Sequence, residues 1–123
     1  MAALITRDEL AAKLAEGTIA LVDAQGPGLF EAEHIPGAIR ASMDNATSVI
    51  AAIGPDLGRE IVTYCTDLAC TGSEIAVVGL ESLGYRNVRR YAEGKADWVA
   101  AGLPTQSGQS GQSGQSGQSG QSG

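Results

Sequence analysis

Residues 61–83 read IVTYCTDLACTGSEIAVVGLESL, and the fold of the chain turns on how this stretch is read. IVTY is a short apolar run of the β-branched and aromatic types that fit a buried strand. GSEIAVVGLESL, residues 72–83, has helical spacing, with Ile75, Val78 and Leu83 near one face. Gly84 follows, as suits the left-handed position after a helix end. Between strand and helix lie both cysteines, Cys65 and Cys70, with Thr66, Asp67, Leu68, Ala69 and Thr71 completing a polar loop.

The flanking sequence repeats this alternation. Thr6-Arg7-Asp8-Glu9 fits a capping box, and Leu10, Ala11 and Leu14 follow at helical spacing, predicting a first helix that ends near Gly17. IALVD, residues 19–23, reads as a buried strand closed by an acid and the turn-rich QGPG. Residues 30–34 suggest a helical turn, broken at Pro36-Gly37. Residues 45–53 predict a helix stopped by Gly54-Pro55, residues 87–91 a third strand, and residues 97–101 a last helical turn carrying Trp98. Strands separated by helices at this spacing imply parallel pairing. The expected fold is a small α/β domain over residues 1–104, with a mainly parallel central sheet flanked by helices.

From Thr105 onward the chain becomes a QSG repeat without apolar or charged side chains. Burial there has nothing with which to offset ordering entropy, so residues 105–123 are expected to be a disordered linker or appended tail.

Charge narrows the function. Eight Lys and Arg stand against 14 Asp and Glu, a net −6, and the cations are scattered except for Arg86, Arg89 and Arg90, read as a solvated strand end. Such a chain lacks an electrostatic footprint for nucleic acid or an anionic membrane, and neither is expected as a partner. No apolar run approaches a membrane span, and MAALITRDEL lacks a signal-peptide core. A soluble, cytoplasmic protein is expected. Thiols stay reduced there, so the cysteines read as chemistry or core filler rather than a structural staple.

In open parallel sheets ligands sit outside the carboxyl ends of the strands, where Cys65 falls. A loop entering a helix N-terminus gathers backbone N–H groups, and the positive potential there lowers a thiol's pKa. Cys65 is therefore a candidate nucleophile; a small buried residue ending the strand is the other reading.

Five segments in order decide the context: LVDAQ (residues 21–25), EHIPGAI (33–39), IVTYC leading into the loop, LGYRNV (83–88) and YAEGKADWVAAGLP (91–104). Together they resemble the rhodanese-like family: its strand ending in Asp and usually an Arg, its GHIPGA, its nucleophilic Cys and its closing GG-x-x-x-W-x-x-x-G-x-P. The resemblance implies a sulfurtransferase or persulfide carrier. Cys65 would take sulfane sulfur from a donor and pass it to a thiol or other nucleophilic acceptor, small molecule or protein, without metal or organic cofactor. Residues 66–71 would form the substrate loop, its amides holding thiolate and persulfide.

The chain departs from the family inside that loop. Members often carry basic residues there, including an Arg at the position held here by Cys70, whereas this loop has Asp67 and no base. Weak turnover of dianionic thiosulfate is the consequence expected. Phosphatase chemistry on a Cys-x5-Arg loop is excluded by Thr71, which stands where that Arg would clamp phosphate. Cys70 has two readings: a resolving thiol that attacks a persulfide or sulfenate on Cys65, or a residue packed beneath the loop. Two other functions stay open, a non-catalytic interaction module on the same fold and a Cys65/Cys70 redox switch.

Asp23 ends its strand beside Cys65, where it either orients that neighbourhood or caps the QGPG turn. His34, the only histidine, is the other supporting candidate; within HIPGA the resemblance favours a structural, hydrogen-bonded ring. Trp98 reads as core or pocket wall, and Thr71 and Ser73 as caps of the following helix.

Overall fold

The computed structural model describes residues 3–40 and 46–108. Asn45, expected to begin the third helix, lies outside the described residues. Five parallel strands, β1 (Ala3–Leu4), β2 (Ala20–Asp23), β3 (Ile39–Arg40), β4 (Ile61–Tyr64) and β5 (Val88–Tyr91), form one sheet in the order β1-β5-β4-β2-β3. Helices α1 (Arg7–Glu16), α2 (Pro27–Ala32), α3 (Ala46–Ile53), α4 (Gly72–Ser82) and α5 (Gly94–Ala100) connect or flank them. The expected α/β architecture is the one observed.

Strand alternation sends side chains to two cores. Leu21, Val62, Tyr64 and Tyr91 pack with Leu10, Phe30, Ile35 and Trp98 on one face. Ala20, Val22, Ile61 and Val88 pack with Val49, Ile53, Val77, Leu80 and Tyr85 on the other. Both faces of β2 and β4 are covered, so every residue of these strands is buried.

The element ends have local causes. Thr6 caps α1 by accepting from the Glu9 amide at 3.1 Å, and Gly17 closes it at φ 73°. The reciprocal half of the expected capping box is replaced: the Glu9 carboxylate takes Arg89 Nη1 at 2.7 Å instead. Arg89 also reaches Glu60, which Lys13 holds at 2.7 Å. Arg89 is thus part of an ion-pair network and not of a solvated strand end. α2 starts earlier than expected because Pro27 sits in its first turn, where a fixed φ and a missing N–H cost nothing.

α4 corrects the expected face. Ser73, Val77 and Leu80 are its buried residues, while Ile75, Val78 and Leu83 are exposed. The final segment also differs from expectation: Gln106 exchanges two backbone hydrogen bonds with His34, each 2.8 Å, and the Gly108 amide donates to the Glu31 carbonyl. Backbone pairing needs no apolar side chain, so the first repeat unit is engaged although nothing in it packs.

Candidate functional site

β2 leads outward to β3, and β4 leads the other way to β5. The strand order reverses between β2 and β4, the position at which open parallel sheets leave a crevice at their carboxyl ends. Asp23, Ala24 and Gln25 leave β2 there, and Cys65 leaves β4 beside them. The Ala24 amide donates to the Tyr64 carbonyl at 2.8 Å, and Cys65 Sγ lies 3.8 Å from the Ala24 carbonyl oxygen.

Two glycines let the loop close on its neighbours. A Cβ at Gly72, the first residue of α4, would lie 2.9 Å from the Ala24 oxygen and 3.2 Å from Cys65 Sγ. The sulfur therefore sits against the N-terminus of α4, where the dipole favours negative charge. A Cβ at Gly94 would lie 2.6 Å from the Cys65 carbonyl oxygen, and φ there is 74°. Immediately after it, the Lys95 and Ala96 amides donate to the Cys65 and Thr66 carbonyls at 2.9 and 2.8 Å. Free amides at the start of α5 thus hold the head of the loop.

Cys65 and Cys70 are joined by a disulfide, with Cα atoms 6.1 Å apart. Neither packing alone nor a free thiol pair describes them in this state. Cys65 is only 3 % exposed, whereas Cys70 is half-buried. Asp67 shapes the turn that brings them together. Its Oδ1 accepts from the Ala69 amide at 3.0 Å, and its carbonyl accepts from the Cys70 amide at 3.2 Å. Those two loop amides are thereby taken by Asp67, which narrows the amide cradle expected around Cys65. Leu68, at the tip, is 69 % exposed. Thr71 precedes α4 without a side-chain cap, and Ser73 is buried with its hydroxyl accepting from Arg90 Nε at 3.0 Å, so neither acts as the expected cap.

Beneath the loop lies a buried polar chain. Asp23 accepts from the Gln25 amide at 2.7 Å, from Gln25 Nε2 at 2.9 Å and from the Tyr64 hydroxyl. Gln25 Oε1 in turn accepts from Thr66 Oγ1 at 3.1 Å, linking the end of β2 to the cysteine loop. Asp23 accordingly both caps the turn and reaches the loop, through Gln25. Burial pushes its carboxyl above the ordinary range, with the Tyr64 and Gln25 hydrogen bonds opposing. Burial, with the Asp23 charge beside it, also raises the Tyr64 phenol. The Tyr64 oxygen accepts from the Ile35 amide at 2.9 Å, tying the HIPGA turn to the sheet.

His34 is fully buried, its ring stacked on Phe30 with centroids 3.9 Å apart and Nδ1 2.7 Å from the Phe30 carbonyl. That is a structural setting. Trp98 lies in the core and donates Nε1–H to the Pro104 carbonyl at 2.8 Å. Gln25, Gly72 and Gly94 were not singled out by sequence reasoning. The signal for Gly94 was its place before Trp98 in the closing motif, and for Gln25 its place where an Arg is usual.

The model of the rhodanese-like domain matches residues 6–101. The chain belongs to the rhodanese-like domain family. An HTH-type transcriptional regulator of Mycobacterium tuberculosis is 36 % identical over 104 residues, 85 % of this chain. The chain spans 45 % of that relative's length. Among solved structures, thiosulfate sulfurtransferase from Pseudomonas aeruginosa superposes with a TM-score of 0.71 at 27 % identity, covering 89 % of this chain and 20 % of that one. A human single-domain sulfurtransferase gives 0.65 at 26 % identity, over 81 % of this chain and 97 % of that one. This rhodanese-like domain therefore has sulfurtransferase neighbours. Among its described residues no helix is long and apolar enough to cross a membrane.

Proposed function

We propose that the domain is a sulfurtransferase or persulfide carrier acting through Cys65 once the loop disulfide is reduced. The observation that carries this reading is the seat of Cys65 Sγ against the first turn of α4, at the reversal of strand order. A thiol there is held toward its thiolate, the nucleophilic form. The thiolate attacks the outer sulfur of a persulfide or other sulfane-sulfur donor, forming the Cys65 persulfide and releasing the donor's thiolate. A nucleophilic acceptor then attacks the outer sulfur and restores the Cys65 thiolate. Family membership and the sulfurtransferase neighbours support the reaction class.

A second reading, a thiol redox switch, is favoured by the Cys65–Cys70 disulfide itself. The two separate on turnover. Pre-reduced, desalted Cys70→Ser, in which no second loop thiol can intercept the persulfide, should form thiocyanate from glutathione persulfide and cyanide well above the uncatalysed background, and the Cys65→Ser/Cys70→Ser double variant should fall to background. Equal rates for both proteins would overturn the transferase reading and leave a switch or a non-catalytic interaction module.

A further inference from the structure

The sulfur accepted by Cys65 needs a destination, and the loop contains one. Cys70 is bonded to Cys65 with the turn made by Asp67 intact, so the folded loop already brings the two sulfurs to bonding distance. Proximity favours this internal thiol over an external one, because Cys70 lies in the same short loop and the fold brings its Cα within 6.1 Å of that of Cys65. A thiol tethered in the same loop acts at an effective concentration of millimolar or above. It also needs no cationic residue to bind it, and the loop has none.

We propose that Cys70 is the acceptor-side thiol of the domain, which makes the loop a sulfane-sulfur reductase that releases hydrogen sulfide. This rests on Cys65 accepting sulfur as set out above. The Cys70 thiol gives its proton to solvent, and its thiolate attacks Sγ of the Cys65 persulfide. The Cys65–Cys70 bond forms, the bond from Sγ to the outer sulfur breaks, and hydrosulfide leaves and takes up a proton. The outer sulfur gains two electrons, one from each cysteine sulfur. The observed disulfide is the product of that step.

A dithiol reductant resets the loop, and the burial asymmetry directs its attack. Cys70 is the accessible sulfur, so the mixed disulfide forms on Cys70 and Cys65 leaves as thiolate. The departing charge falls at the N-terminus of α4, where it is stabilised. Each cycle thus ends with Cys65 ready for the next donor.

The test uses full-length protein, reduced, desalted and given one equivalent of glutathione persulfide without added thiol. Wild type should release one sulfide per chain and lose both thiols, its intact mass falling by two hydrogens. Cys70→Ser should release none and keep one added sulfur. Wild type retaining the sulfur as Cys70→Ser does would overturn this step and leave sulfur acceptance standing; that readout needs no variant. Disulfide formation without sulfide, or equal sulfide from both proteins, would also overturn it. A Cys70→Ser protein that is folded, by its circular dichroism, and takes no sulfur would instead overturn sulfur acceptance by Cys65.

Discussion

Gly94 and Cys65 meet backbone to backbone: the position a Cβ would occupy on Gly94 is 2.6 Å from the Cys65 carbonyl oxygen, and the next amide donates to that same oxygen at 2.9 Å. The start of α5 thus acts as the wall against which the head of the cysteine loop is set. Gly94→Ala should lose on two counts, a left-handed backbone that costs about 1–2 kcal/mol with a side chain and a displaced loop. Gly102, at φ 79° with nothing within 4 Å of its Cβ position, isolates the first count. Thermal midpoints should fall for both alanine variants and further for Gly94→Ala. Sulfur transfer should fall for Gly94→Ala alone; equal losses of activity would show that the loop does not depend on this contact.

Asp67 combines two roles that one substitution separates. Its Oδ1 holds the Ala69 amide, a bond that Asn keeps, while its negative charge is the part expected to oppose a dianionic donor at Cys65. A like charge roughly 5 Å away is worth about 1 kcal/mol at a near-aqueous dielectric, or severalfold in rate. Asp67→Asn should therefore raise the thiosulfate rate severalfold at low salt, with the gain shrinking as salt is added. Asp67→Ala, which loses the turn as well, should not match it. An unchanged or slower rate for Asp67→Asn would remove the electrostatic explanation.

The strands β2 and β4, the Thr6 and Gly17 ends of α1 and the alternation of strands with helices were legible in the sequence, because buried runs and caps announce themselves locally. β1 and β3 were not: two residues each are too short to show a period. The exposed stripe of Ile75 and Val78 misled because α4 is apolar on both sides, and only its packing against β4 and β5 selects Val77 and Leu80. The placement of Cys65 and its loop between a strand end and a helix start was legible from the flanking patterns. The Cys65–Cys70 pair was one of the readings, but that it bonds was not decided by the sequence, since spacing alone does not say that Asp67 folds the loop back on itself.

Asp23 gives a dependence on pH whose sign is fixed by burial. Its folded pKa is raised, so the folded state holds that proton more tightly than the unfolded chain does. Its contribution to stability is full below the unfolded value of about 3.9 and is lost as pH rises through the folded one. Relative to Asp23→Asn, wild type should lose stability as pH rises from about 4 through the raised folded pKa. Urea midpoints of the two proteins across that range decide the matter, and a difference that grows in favour of wild type with rising pH would contradict it.

The most direct measurement asks which sulfur atom takes the donor's sulfur. Cys70→Ser and Cys65→Ser, each pre-reduced and treated with glutathione persulfide, are alkylated and mapped by peptide mass spectrometry. One added sulfur on Cys65 in the first protein, and none on Cys70 in the second, is the expected result. Sulfur on Cys70 of Cys65→Ser, or its absence from Cys65 of Cys70→Ser, would contradict the assignment of Cys65 as the acceptor.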